Sequence, residues 1–236
     1  MASDVAYLGV DGLDSRMPEG LTRDMQIMLH GDTGIGKTVL ASQFLYEGLM
    51  VGDTCVYVAC DDLPNIMRQS LASFRLGSGA YEEAGRLIFV DAYSRVRSTE
   101  KYWLPDPNVL DEFYLFEKKL LGRLAGRRVR LVVDSLSTLF IQNDPSVYLA
   151  FNANRLKLLR RLGVLTLDAF VKGVLDDRSL ASLMHAYPVV INMQFENVGG
   201  SVRRIMQLLK MRSGEFQAAP IPLSISPKTG IIAQAY

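Results

Sequence analysis

Short apolar runs without polar alternation recur along this chain, and glycine, proline or polar stretches separate them. Such runs are typical of strands in a parallel sheet that helices cover on both faces. Strands of this kind are predicted at Met25–His30, Val56–Cys60, Leu87–Val90, Leu131–Asp134 and Val164–Phe170. Later segments predict strands of a closing antiparallel section, at Val189–Phe195, Arg203–Arg212 and Leu223–Ala233.

Helical periodicity fills the intervals between the apolar runs. Leu40, Phe44 and Leu45 fall on one face of a helix over Lys37–Met50, and Gly52 follows it as a stop signal. Further helices are predicted from Pro64, from a cap at Asn108 (with Asp111 near the capping-box position) through Leu124, and over Pro145–Leu162.

Three segments lack a clear period. Residues 1–24 and Ser94–Pro107 predict irregular structure, and Val171–Ala186 fits either a loop or a helix. The remaining alternation of helices with buried strands predicts an α/β fold with a mostly parallel central sheet. Helices cover both faces of that sheet, and its C-terminal section is antiparallel.

The composition indicates a globular protein. The chain has 236 residues, 49% hydrophobic and 22% charged, which suits one α/β domain. Its net charge of +1 disfavours nucleic acid as the main ligand, although a local basic patch stays compatible with it. No apolar run approaches the roughly 18 residues that span a bilayer, and the N-terminus lacks a signal pattern. We therefore expect a cytoplasmic protein without membrane insertion.

Two cysteines, Cys55 and Cys60, lie in one apolar run. At this spacing on a strand they point to opposite faces and cannot easily form a disulfide. We predict two small buried hydrophobic residues in a reducing compartment.

A glycine-rich loop follows the first predicted strand and opens the first predicted helix. Its residues match the phosphate-loop pattern G-x-x-x-x-G-K-[ST] and run Gly31, Asp32, Thr33, Gly34, Ile35, Gly36, Lys37, Thr38, with Val39 next in the helix. The glycines let successive amides turn inward around a phosphate, and the helix N-terminus adds positive potential. Lys37 would contact the β- and γ-phosphates of ATP, and Thr38 would offer its hydroxyl to Mg²⁺. A chance match is the alternative, but the strand and helix supply the required context.

A second acidic site is predicted where Leu131–Asp134 ends. An apolar strand that ends in Asp134 is typical of a magnesium-holding carboxylate beside Thr38. The alternative is an aspartate that only caps the following turn.

Asp61 and Asp62 follow another apolar strand. Ligands of open α/β sheets bind at the carboxyl ends of strands, where a carboxylate can orient and deprotonate a water molecule. Asp62 also lies where it could cap the helix that starts at Pro64, so Asp61 is the better candidate.

Several segments together resemble the KaiC-like single-domain branch of the RecA/RadA superfamily of ATPases, common in archaea. The entry segment resembles T-G-I-x-G-[LF]-D, and later segments resemble Q-F-L-Y-x-G, D-S-x-x-x-x-F and L-K-M-R. In the same order as these motifs, the four segments of this chain are Leu8–Asp14, Gln43–Gly48, Asp134–Phe140 and Leu209–Arg212. The similarity covers nearly the whole chain and is more specific than the phosphate loop alone.

The resemblance implies one RecA-like domain over residues 1–236, an ATPase that oligomerises through its nucleotide site. The oligomer would be a ring, of which a hexamer is one form, or a filament, and the protein would act as a regulatory switch. It also implies that Lys210 and Arg212 reach the γ-phosphate held by a neighbouring subunit. Both side chains lie on one strand face because they are two residues apart, and a solvated basic strand edge is the alternative.

The chain also departs from the family pattern. The family usually has Glu-Glu where this chain has Asp61–Asp62, so each carboxylate is one methylene shorter. A displacement of about one ångström can cost about 100-fold in rate. We therefore expect slow hydrolysis. Thr166 and Asp168 lie on the strand that carries the family's sensor residues. Asp168 is the candidate to replace such a sensor residue.

Two other functions stay open. One is a recombinase-like DNA-repair accessory that binds single-stranded DNA. The other is a non-hydrolysing ATP sensor that docks to a larger machine, such as a motility motor. The basic runs Arg127–Arg130 and Arg203–Arg204 could contact phosphate backbones, but solvated turns are the simpler interpretation. For Trp103, an anchoring role in its loop is favoured over base stacking.

Overall fold

The computed structural model describes residues 5–73 and 77–233. Its strands are β1 (Val5–Ala6), β2 (Leu21–Thr22), β3 (Gln26–Gly31), β4 (Thr54–Ala59), β5 (Leu87–Asp91), β6 (Tyr102–Trp103), β7 (Val129–Asp134), β8 (Val164–Val171), β9 (Val189–Val198), β10 (Ser201–Met211), β11 (Ile221–Ser226) and β12 (Gly230–Ala233). Its helices are α1 (Asp11–Asp14), α2 (Lys37–Met50), α3 (Pro64–Ser73), α4 (Ser78–Glu83), α5 (Leu110–Arg123), α6 (Pro145–Arg161) and α7 (Asp177–Ala186), with a 3₁₀ helix at Leu136–Phe140.

Within these described ranges, ten strands form one sheet in the order β12-β11-β10-β9-β3-β8-β7-β4-β5-β6. Every pair from β9 to β6 is parallel, and the pairs from β9 to β12 are antiparallel. The predicted fold class is therefore confirmed. Because β3, β4, β7 and β8 run in the same direction, their carboxyl ends meet at one edge of the sheet, and ligand sites of such sheets form there.

Helices cover both faces of this sheet with two separate apolar cores. One core contains the inward side chains of α2 and α3 together with the N-terminal segment. The other contains those of α5, α6, α7 and the 3₁₀ helix. Cys55 belongs to the first core and Cys60 to the second, and both are free thiols. Their predicted burial on opposite faces is confirmed.

Most predicted elements are confirmed within a few residues, and helix α2 has the predicted bounds. The predicted cap at Asn108 is wrong: α5 begins two residues later, and the extended residue before it, Val109, makes no side-chain cap. Instead, the Asn108 carbonyl accepts a hydrogen bond from Asn143 at 3.0 Å. The segment Leu223–Ala233 is a hairpin of two strands, β11 and β12, rather than one strand.

The N-terminal segment, predicted to be irregular, contains β1, β2 and α1. Asp14 organises it, because its carboxylate accepts hydrogen bonds from the amides of Leu8, Gly9 and Val10 at 2.8 to 3.0 Å. The predicted loop Ser94–Pro107 contains the short strand β6.

One basic run differs from its predicted solvated state. Arg130 is only 1% exposed, and its Nε donates to the fully buried Asp53 at 2.7 Å. The same guanidinium donates to the carbonyls of Tyr7 and Phe44, so it joins the N-terminal segment to α2. Arg128 also pairs with Asp53, at 3.2 Å. The buried carboxylate turns these arginines inward, because a buried charge needs a partner.

Candidate nucleotide site

The phosphate loop joins the end of β3 to the start of α2. Gly34 and Gly36 adopt left-handed backbone conformations with φ of 73° and 116°, which other residues rarely adopt. Gly36 is the N-cap residue of α2, and it has no side chain that could accept a hydrogen bond from the first-turn amides. The first-turn amides of α2 have no intrahelical acceptors, so they remain available to a phosphate group.

Strand β9 holds the start of this loop in place. The Asp32 amide donates to the Met193 carbonyl at 3.2 Å, and the Asp32 carboxylate accepts from the Phe195 amide at 2.9 Å. Lys172, directly after β8, pairs with the same carboxylate at 3.1 Å. The backbone hydrogen bond from Phe195 is the main cause that lowers the pKa of Asp32. Asp32 is therefore a fixed anion that links the loop to two neighbouring strands.

Lys37 is folded back over the loop. Its Nζ donates to the carbonyls of Gly31 and Asp32 at 3.1 and 2.9 Å. Burial lowers the pKa of Lys37, while the carboxylates of Asp134, Asp61 and Asp32 oppose that shift. A buried ammonium held by carbonyls beside a ring of free amides is suited to a polyphosphate.

Thr38 and Asp134 meet at the same edge of the sheet. The Thr38 Oγ1 donates to the Asp134 Oδ2 at 2.8 Å, and the Tyr57 hydroxyl donates to the same oxygen at 3.1 Å. Burial raises the pKa of Asp134, and the nearby Asp61 raises it further. A buried carboxylate beside a hydroxyl offers the oxygen ligands that Mg²⁺ prefers. The donor set therefore fits a magnesium ion that a nucleotide brings with it.

The paired acids after β4 have different surroundings. Asp61 accepts a hydrogen bond from the Thr138 Oγ1 at 2.5 Å, and it lies close enough to Lys37 and Asp134 to shift the pKa of each. Asp62 is exposed and accepts from the Leu63 amide at 2.8 Å. The structure therefore brings Asp61 to the phosphate loop, while the contact of Asp62 is local.

Lys210 and Arg212 bond to helix α7 of their own chain. Lys210 Nζ donates to the carbonyls of Met184 and His185 at 2.9 and 2.7 Å, and Arg212 donates to the His185 carbonyl at 2.8 Å. The shared acceptor confirms that both side chains lie on one face. Burial lowers the pKa of Lys210, and Arg212 adds to that shift. In the single chain these cations therefore cap a helix, and they bond to helix carbonyls rather than to the phosphate loop.

Asp168 does not serve as a sensor, so that prediction is wrong. Its side chain is fully buried and makes two hydrogen bonds to Arg155, at 2.6 and 3.0 Å. It also accepts from the Tyr187 hydroxyl at 2.7 Å. Thr166 is buried as well and donates to the Leu131 carbonyl. Asp168 points into the core beneath α6 and shares a face of β8 with Thr166, because residues two apart on a strand face the same side of the sheet.

Three residues near the site were missed by the sequence reasoning. Tyr57 binds Asp134, Thr138 binds Asp61, and Lys172 binds Asp32. A tyrosine in the apolar run before Asp61 was a usable signal, as was a lysine directly after β8. The contact of Thr138 depends on how the 3₁₀ helix turns, which no pattern in the sequence indicates. Trp103 donates from its ring to the Ser94 carbonyl at 2.7 Å, as expected for an anchor.

The fold and the loop together define a RecA-like nucleotide-binding protein. A family model described as "ATPase: KaiC" matches residues 6–235. The chain therefore belongs to the KaiC family of ATPases.

Relatives and a solved structure are similar to this chain over nearly its whole length. A UPF0273 protein of Pyrococcus horikoshii is 29% identical, over 95% of this chain and 91% of its own. A UPF0273 protein of Thermotoga maritima is 25% identical, over 95% and 93%. The crystal structure of KaiC-like protein PH0186 from Pyrococcus horikoshii is similar in fold, with a TM-score of 0.77 and 22% identity over 98% of this chain and 99% of that one. Among the described residues, no helix is long and apolar enough to cross a membrane.

Proposed function

We propose that this protein, one RecA-like unit over residues 1–236, hydrolyses ATP slowly and acts as a regulatory switch. One observation carries the proposal. Thr38 and Asp134 are hydrogen bonded at 2.8 Å beside Lys37, within range of the charge on Asp61. The residues that we propose for phosphate binding, cation binding and water activation thus lie at one edge of the sheet, which supports the proposal.

In the proposed mechanism the loop amides and Lys37 hold the β- and γ-phosphates and stabilise the charge that develops on them. A magnesium ion bound by Thr38 and Asp134 would neutralise phosphate charge. Asp61 accepts a hydrogen bond from a water molecule and aligns it with the γ-phosphorus. As the water oxygen bonds to phosphorus, the bond to the bridging oxygen breaks, and the water proton passes to the carboxylate.

Replacing Asp61 by Asn tests the water-orienting role, with Asp62→Asn as the matched control. Asparagine keeps the shape but cannot accept the proton, so we expect kcat for Mg·ATP to fall about 100-fold with ATP affinity little changed. Asp62→Asn is expected to keep the wild-type rate. Phosphate release and titration with a fluorescent ATP analogue measure both quantities.

Two results would contradict this mechanism. Equal rates for Asp61→Asn and wild type would remove Asp61 from it. Tight ATP binding without turnover in the wild type would overturn hydrolysis and favour the non-hydrolysing sensor.

We further propose that ATP assembles the chains into a ring or filament. There Lys210 and Arg212 would leave their helix carbonyls and reach the phosphates of a neighbour. Both side chains already share one face and end at exposed carbonyls of α7. Particle mass measured with and without ATP tests the assembly.

A mixing experiment tests the contribution of the neighbour. A Lys210→Ala, Arg212→Ala double variant and a Lys37→Met variant should each be inactive alone. Mixed in equal amounts they should regain about a quarter of the wild-type rate, because one in four random interfaces of a head-to-tail ring joins an intact loop to intact cations. Thermal unfolding of the double variant controls for the lost cap on α7. A mixture as inactive as its parts would refute the shared site.

A further inference from the structure

A continuous chain of hydroxyl groups crosses the sheet edge from β8 to Asp61. The Val171 amide donates to the Ser137 Oγ at 3.0 Å, and the Ser137 and Ser135 hydroxyls are 3.2 Å apart. Ser135 and Thr138 hydroxyls are 3.0 Å apart, and Thr138 donates to the Asp61 Oδ1 at 2.5 Å. Both serines are fully buried.

The two ends of this chain fix its direction. An amide N–H can only donate, and an ionised carboxylate can only accept. Ser137 therefore accepts from Val171 and donates to Ser135, which donates to Thr138, which donates to Asp61. Every hydroxyl in the row points toward the carboxylate, and such aligned hydrogen bonds strengthen one another.

The starting end of the chain lies beside the phosphate loop. Lys172 follows Val171; its amide donates to the Gly31 carbonyl at 3.0 Å, and its ammonium pairs with Asp32. The chain of hydroxyl groups thus connects β8, which supports the phosphate loop, to Asp61.

We infer that Thr138 is a positioning residue, which holds Asp61 in the orientation that water attack requires. The inference rests on the proposed ATPase function. Asp61 is exposed, so its short side chain would otherwise rotate freely. The bond from Thr138 occupies Oδ1 and leaves Oδ2 for the water molecule. An aspartate has less reach than a glutamate, and a fixed orientation limits the misplacement that slows a reaction.

The site is also open to solvent on the relevant side. Asp61 and Thr138 line one cleft together with Cys60, Tyr93, Ser94 and Arg95. Water can therefore reach the Asp61 carboxylate, while Thr138 is hydrogen bonded on its buried side to Ser135. A hydrogen bond at such an exposed position adds little to stability, which separates a positioning role from a structural one.

The test compares Thr138→Val with Thr138→Ser, alone and in the Asp61→Asn background. Valine has nearly the same shape but no hydroxyl, so we expect kcat to fall about 10- to 100-fold with KM for ATP unchanged. Serine restores the donor and should recover most of the rate. In the Asp61→Asn background Thr138→Val should cost nothing more, because both changes remove one function. Thr138→Ser should keep the melting temperature of the wild type. Thr138→Val also leaves the buried Ser135 hydroxyl without its acceptor and should lower the melting temperature by a few degrees, so all rates are compared well below it.

The outcomes separate this inference from the proposed function. If the wild type hydrolyses ATP and Asp61→Asn does not, but Thr138→Val keeps the wild-type rate, the positioning role alone is overturned. Additive losses in the double variant would also overturn it. If the wild type binds ATP without turnover, the proposed hydrolysis fails and the positioning role fails with it.

Discussion

Replacing Lys37 by Met is expected to lower kcat/KM for ATP by at least about 100-fold, because the phosphate loop loses the buried ammonium that we propose contacts the phosphates. Methionine keeps the length and the apolar stem of the side chain, so the loop should retain its shape. The Lys37 ammonium is held by the carbonyls of Gly31 and Asp32. Removing it leaves those carbonyls pointing at a polyanion, which adds to the loss. Isothermal titration with ATP and phosphate-release assays measure binding and turnover separately.

Two further variants make this prediction specific. Lys37→Arg keeps the charge but brings a longer, planar group, so we expect it to recover only a small part of the rate. Lys118→Met removes an exposed lysine of α5 and should behave like the wild type. Wild-type affinity and turnover in Lys37→Met would refute the phosphate-loop assignment.

The strands and the nucleotide loop could be predicted because their signals are local. A strand buried on both faces requires a continuous apolar run, and β3, β4 and β7 are buried at every position. A phosphate cradle requires glycines at fixed spacing, and Gly34 and Gly36 have the left-handed conformations that this requires. The paired acids followed from the rule that ligands bind where parallel strands end. Asp134 followed from the apolar strand that it ends.

The polar partners could not be predicted, because they join residues far apart in the sequence. Arg130 looked like part of a solvated run until the fold placed it against Asp53, 77 residues earlier. Asp168 lies on the strand that carries a sensor in the family, but its side chain binds Arg155 in the core beneath α6. Periodicity indicates which positions are buried; it does not indicate which charges meet there.

The buried network around Arg155 yields the largest expected effect on stability. Arg155 is fully buried and binds both Asp168, at 2.6 Å, and Glu117, at 2.8 Å. Arg155→Met leaves two carboxylates in the core without their cation, and losing one partner of a buried pair typically costs about 3–5 kcal/mol. For a chain of this size that corresponds to a fall in melting temperature of roughly 10 °C. Lys157→Met, an exposed change on the same helix, should leave the melting temperature unchanged.

The pH dependence distinguishes this electrostatic loss from a simple packing defect. Burial raises the pKa of Glu117, and Arg155 opposes that shift, so the variant's folded-state pKa lies higher still. Above the ordinary value of 4.5 the folded variant keeps a proton that the unfolded chain releases. Stability therefore falls as pH rises from that value through the folded pKa. Denaturant unfolding at several pH values should show a smaller deficit in Arg155→Met near pH 4.5 than at neutral pH. A deficit independent of pH would mean that the arginine stabilises the core by packing alone.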